Sequence, residues 1–203
     1  MSATAIDICA AALRLIGAEP IASFDEGTPA ADACAALYPG LRDALIASHP
    51  WNFAQTVVQL ARLADPPPGW RSAFAAPSDM LTLRALYPTA EIAGDPIRRF
   101  DWRDQAILAD ADQAFAVYLR RVPEPSWPPP FALLVRYALA ADLALTITER
   151  RELAEEWRLR AYGVPSEGMR GGQFRMAAAA DAQAGPALVL PRGALATARH
   201  GRA

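Results

Sequence analysis

The first third of the chain alternates helical apolar stripes with sharp breaks. Ile6, Cys9, Ala10, Leu13 and Ile16 recur at helical spacing behind Thr4, with Asp7 three residues on as its capping partner, and Gly17 ends the stretch. After a polar loop holding Asp25 and Glu26, Thr28-Pro29 reads as an N-cap followed by proline at the first helical position. The helix it opens runs toward Ser48 with Leu37, Leu41 and Leu45 on one face. Pro39-Gly40 lies inside it, so a kink or short break is expected near Tyr38. Pro50 then disfavours a helical conformation at His49. The stretch His49, Pro50, Trp51, Asn52 and Phe53 is therefore a structural turn whose aromatic rings can each bury about 150–250 Å².

Beyond the turn, Ala54 to Ala64 is a short segment rich in leucine and valine, stopped by Asp65-Pro66-Pro67-Pro68-Gly69, a stiff extended connector. Leu81, Leu83 and Leu86 alternate with polar residues in a strand-like stretch, and Ala114 to Leu119 has strand composition. Turn signals stand at Gly94-Asp95-Pro96 and Ala109 to Asp112. A second connector, Pro123 to Pro130, holds five prolines and Trp127. From about Pro130 to Thr146 the chain is apolar nearly all round, which predicts a central helix. Arg136 and Asp142, at about 2.5–3.5 kcal/mol each in a bilayer centre, argue against a membrane span there. Thr148 is read as the cap of a fourth helix carrying Leu153, Trp157, Leu159 and Tyr162, which Gly163-Val164-Pro165 ends or interrupts.

These patterns predict a mainly α fold. Residues 1–64 and 130–167 form a helical bundle, 65–129 a small antiparallel β insertion between proline-rich connectors, and 168–203 an extended, flexible basic arm. The arm carries five arginines (170, 175, 192, 199 and 202) against one acid, Asp181, a charge of about +4.

Composition narrows the chemistry. A net charge of −2 gives no global pull toward nucleic acid or anionic membrane. All 20 basic residues are arginine, so a lysine-bearing phosphate loop is excluded, and the bias suits a genome of high GC content. Cys9 and Cys34 lie in alanine-rich helices without metal spacing and read as small buried residues of a reduced protein. There are only two histidines, His49 and His200, which leaves no basis for a histidine relay. Acids pair at Asp25/Glu26, Asp101/Asp104, Asp110/Asp112 and Glu155/Glu156; polar turns account for them better than hydrolytic or cation chemistry. No catalytic residue, metal or cofactor is expected. The candidate interface is arginine with aromatics, Arg98, Arg99, Phe100, Trp102 and Arg103, joined by Arg170, Arg175, Arg192 and Arg199 of the arm.

An ordered set of motifs resembles the phage head-to-tail adaptor family typified by tail tubular protein A, which includes adaptors of prophages and gene transfer agents. It comprises Leu15-Ile16-Gly17-Ala18-Glu19-Pro20-Ile21, Ser23 to Gly27, Tyr38 with Arg42-Asp43-Ala44-Leu45, and Ser48 to Ala54. Gly69-Trp70, Phe74, Pro77-Ser78-Asp79, Leu81 with Leu83-Arg84, and Asp181-Ala182-Gln183 complete it. The resemblance implies a structural virion protein and not an enzyme, made in the bacterial cytoplasm and carried at the head-tail junction. Its partners would be a portal protein, a tail or stopper protein, other copies of itself in a ring, commonly a dodecamer, and the DNA in the channel. The alternative from the arginines is a DNA-binding packaging accessory protein.

Overall fold

The computed structural model describes residues 4–92 and 94–184. α1 (Ala5–Leu15) starts at Thr4, whose hydroxyl accepts the Asp7 amide while the Asp7 carboxylate accepts the Thr4 amide. α2 (Pro29–Ala47) starts at Thr28, whose hydroxyl accepts the Ala31 amide. α3 (Pro129–Thr148) is the central helix, and α1, α2, α4 (Arg151–Tyr162) and α5 (Gly172–Ala184) all pack on it. Its apolar circumference serves that position. Although α3 is long and apolar enough to cross a membrane, here it is the core of the bundle.

Seven strands follow one another between α2 and α3: β1 (Gln55–Gln59), β2 (Arg62–Leu63), β3 (Ser72–Ala75), β4 (Met80–Tyr87), β5 (Phe100–Arg103), β6 (Ala106–Ala109) and β7 (Phe115–Arg120). They build two antiparallel sheets, ordered β1-β7-β4 and β2-β3-β6-β5. Side chains alternate across a strand, and β7 uses both faces. Leu119 joins the helical core, while Ala116 and Tyr118 join a second core with Leu60, Phe74, Leu86 and Ile107 between the sheets. The three-stranded sheet is thus the middle layer, with helices on one side and the four-stranded sheet on the other.

Several expectations are corrected. The fold is mixed α/β, 47% helical and 18% strand among the described residues, and not mainly α with a small insertion. The β part begins at Gln55, inside the stretch 1–64 assigned to the bundle, because β1 and β2 are short edge strands whose pattern is mostly polar and exposed. α2 does not break at Pro39-Gly40; both residues are exposed, and solvent can serve the carbonyl that proline leaves without a partner. Thr148 closes α3 instead of opening α4: its hydroxyl donates to the Ala144 carbonyl, and Glu149 turns the chain at φ 55°.

The flexible arm expected from Gly168 is, up to Ala184, a folded loop and helix. The Gly171 amide donates to the Tyr162 carbonyl at 2.7 Å, and the Glu167 carboxylate accepts the Val164 amide. Gly163, at φ 75°, has no room for a Cβ, which would lie 2.7 Å from the Gly171 Cα. The glycines therefore make a tight turn where the sequence predicts the end of a helix and the start of a flexible arm. Phe174, Ala177 and Asp181, on one face of α5, are buried. Residues 185–203, with Arg192 and Arg199, lie outside the described residues.

Candidate functional site

The His49–Phe53 turn is a joint closed by a residue 129 positions away. Trp51 is fully buried, and its indole nitrogen donates to the Leu45 carbonyl at 2.9 Å. Its ring meets His49, Phe53, Phe131 and Phe174 with centroids 4.7–5.9 Å apart, in the edge and tilted geometries aromatic pairs prefer. Asn52 and Phe53 begin a single 3-10 turn, Asn52–Ala54, whose first amides need acceptors. Asp181 of α5 supplies them: its carboxylate accepts the Asn52 amide at 2.7 Å and the Phe53 amide at 3.4 Å, and the Asn52 side chain donates to the Asp181 carbonyl at 2.9 Å. Two motifs far apart in the sequence thus form one structural unit. Burial lowers the His49 pKa; Asp181 opposes that shift, while Arg170 and Arg84 reinforce it.

A second joint holds the helices to the sheets. Asp43 on α2 accepts from Arg42 at 2.8 Å and from Arg121, just past β7, at 2.6 Å. Burial works against the Asp43 charge, yet the two guanidiniums outweigh it and hold its pKa below the usual carboxylate range. Tyr38 donates to Glu124 at 2.7 Å, and Arg42 lies 3.5 Å from the same carboxylate. Burial, then Glu124, push the Tyr38 pKa up. On the strand side, Asp79 accepts from the Tyr118 hydroxyl at 3.0 Å, and its carbonyl accepts the Arg121 amide at 2.8 Å. Burial and Asp79 push the Tyr118 pKa up to about 12. Tyr38, Arg42, Asp43 and Asp79 belong to the motif set of the sequence; Arg121 and Glu124 do not, because nothing local in the sequence marks a partner some 80 positions distant.

The arginine patch is reorganised by pairing. Arg99 pairs with Asp110, donates to the Gly69 carbonyl and lies 4.9 Å over the Trp70 ring. Arg103 pairs with Asp101, and Arg71 joins Asp112 at 2.8 Å. Arg175 pairs with Glu167. Arg170 is exposed on the α4–α5 loop, and Arg98, also exposed, has no acid within ion-pair distance among the described residues. The acid pairs do not converge: Asp101, Asp110, Asp112 and Glu156 each hold a separate arginine, and Glu26 closes its own loop by accepting the Ala22 amide and the Thr28 hydroxyl. Among the described residues, no cluster of three or more His, Cys, Asp or Glu could hold a metal ion.

Beside its exposed arginines the patch also presents apolar side chains. Phe100 and Trp102 on β5 stand partly open, as do Val57, Val58 and Leu63 on β1 and β2, all between 38% and 42% exposed. Sequence reading missed the valines and Leu63, whose alternation is too short to reveal an edge. Trp102 borders a hollow of about 200 Å³ with Ala76, Pro77, Met80 and Gln105. Leu159, Val164, Met169 and Met176, on α4, α5 and their loop, are exposed as well. No family model matches the chain, and no curated protein matches it.

Proposed function

We propose that this chain is a head-to-tail adaptor of a tailed phage, prophage or gene transfer agent, a structural protein that forms a ring between portal and tail and continues the DNA channel. The observation that carries this proposal is the Asp181 lock. The motif Asp181-Ala182-Gln183 and the turn His49–Phe53, which belong to one ordered resemblance, meet through three hydrogen bonds. Motif residues that share a joint are what a resemblance of fold, and not of isolated words, would leave. The motif residues Tyr38, Arg42, Asp43 and Asp79 likewise gather at the helix–sheet joint. A packaging accessory that grips phosphate would use outward arginines without acidic partners; Arg99, Arg103 and Arg175 are 63–69% exposed, but each shares its charge with an acid.

The test is co-expression with the cognate portal protein, followed by native mass measurement. Co-purification as a multimeric complex that survives moderate salt is the expected result. Failure to bind portal, together with DNA binding that falls steeply with salt, would replace the adaptor with the packaging accessory.

A further inference from the structure

We propose that copies of this chain join head to tail through opposite edges of the β-sandwich, Phe100 and Trp102 on β5 of one copy meeting Val57, Val58 and Leu63 on β1 and β2 of the next. This rests on the ring proposed above and names the surface that builds it.

β2 and β5 are the two outer strands of the four-stranded sheet, and the chain passes from β1 into β2 on the same side of the sandwich. Each outer strand leaves one row of backbone donors and acceptors without a strand partner among the described residues, an arrangement that single-chain proteins ordinarily blunt. Here the edges carry apolar side chains instead. Trp102 is paired across the ladder with Ile107, and Ile107 with Phe74, both fully in the sheet core. Directly paired residues share a face, so Trp102, and Phe100 two residues before it, extend the inner face of the sheet past its cover. Val58 does the same on the other side, paired with the core residue Ala116, while Val57 points to the opposite face.

The occupant follows from the placement of the edges. A contact of β5 with β5 closes at a dimer and leaves the β1–β2 edge bare in both copies. A head-to-tail contact covers both edges in every copy with a single kind of interface, and such a contact is heterologous and builds a ring where its rotation closes. The two edges can offer each other opposite charges: Arg62 on β2 has no acid within 4.0 Å, and Asp104, directly after β5, has no cation, among the described residues, while the unpaired Arg98 also flanks β5.

Two full-length variants test the proposal, Trp102→Asp on one edge and Val58→Asp on the other, each checked for a native circular dichroism spectrum. Each alone is expected to lose the ring and stay monomeric. Mixed in equal amounts they retain one intact edge apiece, so the mixture is expected to give dimers and nothing larger. In a second arm, Arg62→Cys with Asp104→Cys in one chain is expected to yield a ladder of covalent multimers under a mild thiol oxidant, against monomer for either single substitution. Rings on the portal from both aspartate variants would overturn this interface while leaving the adaptor proposal standing. Wild-type chain that neither self-associates nor binds portal would overturn both. A dimer formed by Val58→Asp alone would show a β5–β5 contact and also overturn the head-to-tail assignment.

Discussion

Asp181 ties α5 into the helical core, since it caps a turn 129 positions earlier in the chain. Replacing it with alanine leaves the Asn52 and Phe53 amides without their acceptor, and buried hydrogen bonds to a charged group are worth about 1.5–3 kcal/mol each. Asp181→Ala is expected to lower stability in urea by about 2–4 kcal/mol, and Asp181→Asn, which keeps one acceptor oxygen, by less. The neighbouring His49 gives a pH dependence. Its ring lies against Trp51 and Phe174, and burial depresses its pKa below the usual value of about 6.5. A base depressed in this way takes up its proton more readily when unfolded. Its contribution is complete above about pH 6.5 and is lost as the pH falls through the lower folded value. Thermal midpoints should fall on acidification across that window, and His49→Gln should flatten the fall; an unchanged slope in the variant would place the dependence elsewhere.

At the scale of elements, glycine positions that look alike in sequence differ in consequence. Gly40 sits in the exposed middle of α2 with open space where a Cβ would go, so Gly40→Ala is expected to stabilise by about 0.5–1 kcal/mol. Gly163, at φ 75° and against Gly171, is expected to cost about 1–3 kcal/mol as alanine. Denaturant midpoints of the two variants should move in opposite directions. The caps at Thr4 and Thr28, the turn at His49, and the strands around Leu83 and Tyr118 were legible because each signal lies within one element. The second sheet was not, because its outer strands β2 and β5, like β1 at the edge of the first sheet, have few buried positions, and a strand's place in a sheet is set by pairing with distant residues. α5 was hidden in a glycine-led stretch that reads as a flexible arm. The Phe174, Ala177 and Asp181 spacing of three and then four was the available signal, in a run of alanines that gives little contrast.

For the whole molecule, the position of α5 changes what a truncation means. Removing 168–203 takes away Phe174 and Asp181 with the helix, and is expected to unfold the core; ending the chain at Ala184 is expected to preserve the fold, as circular dichroism of both would show. Only the shorter deletion can ask what residues 185–203 contribute to assembly. The three layers also give the proposed ring an internal logic: the joint of Asp43, Arg121 and Glu124 fixes the sandwich to the helices, so the edges of the sandwich are presented at a set angle to the bundle. The most direct measurement is electron cryomicroscopy of the chain assembled with its cognate portal. The account predicts a closed ring stacked on the portal, with the β-sandwich of each copy touching two neighbours through different edges. A chain that remains monomeric beside an intact portal would contradict it.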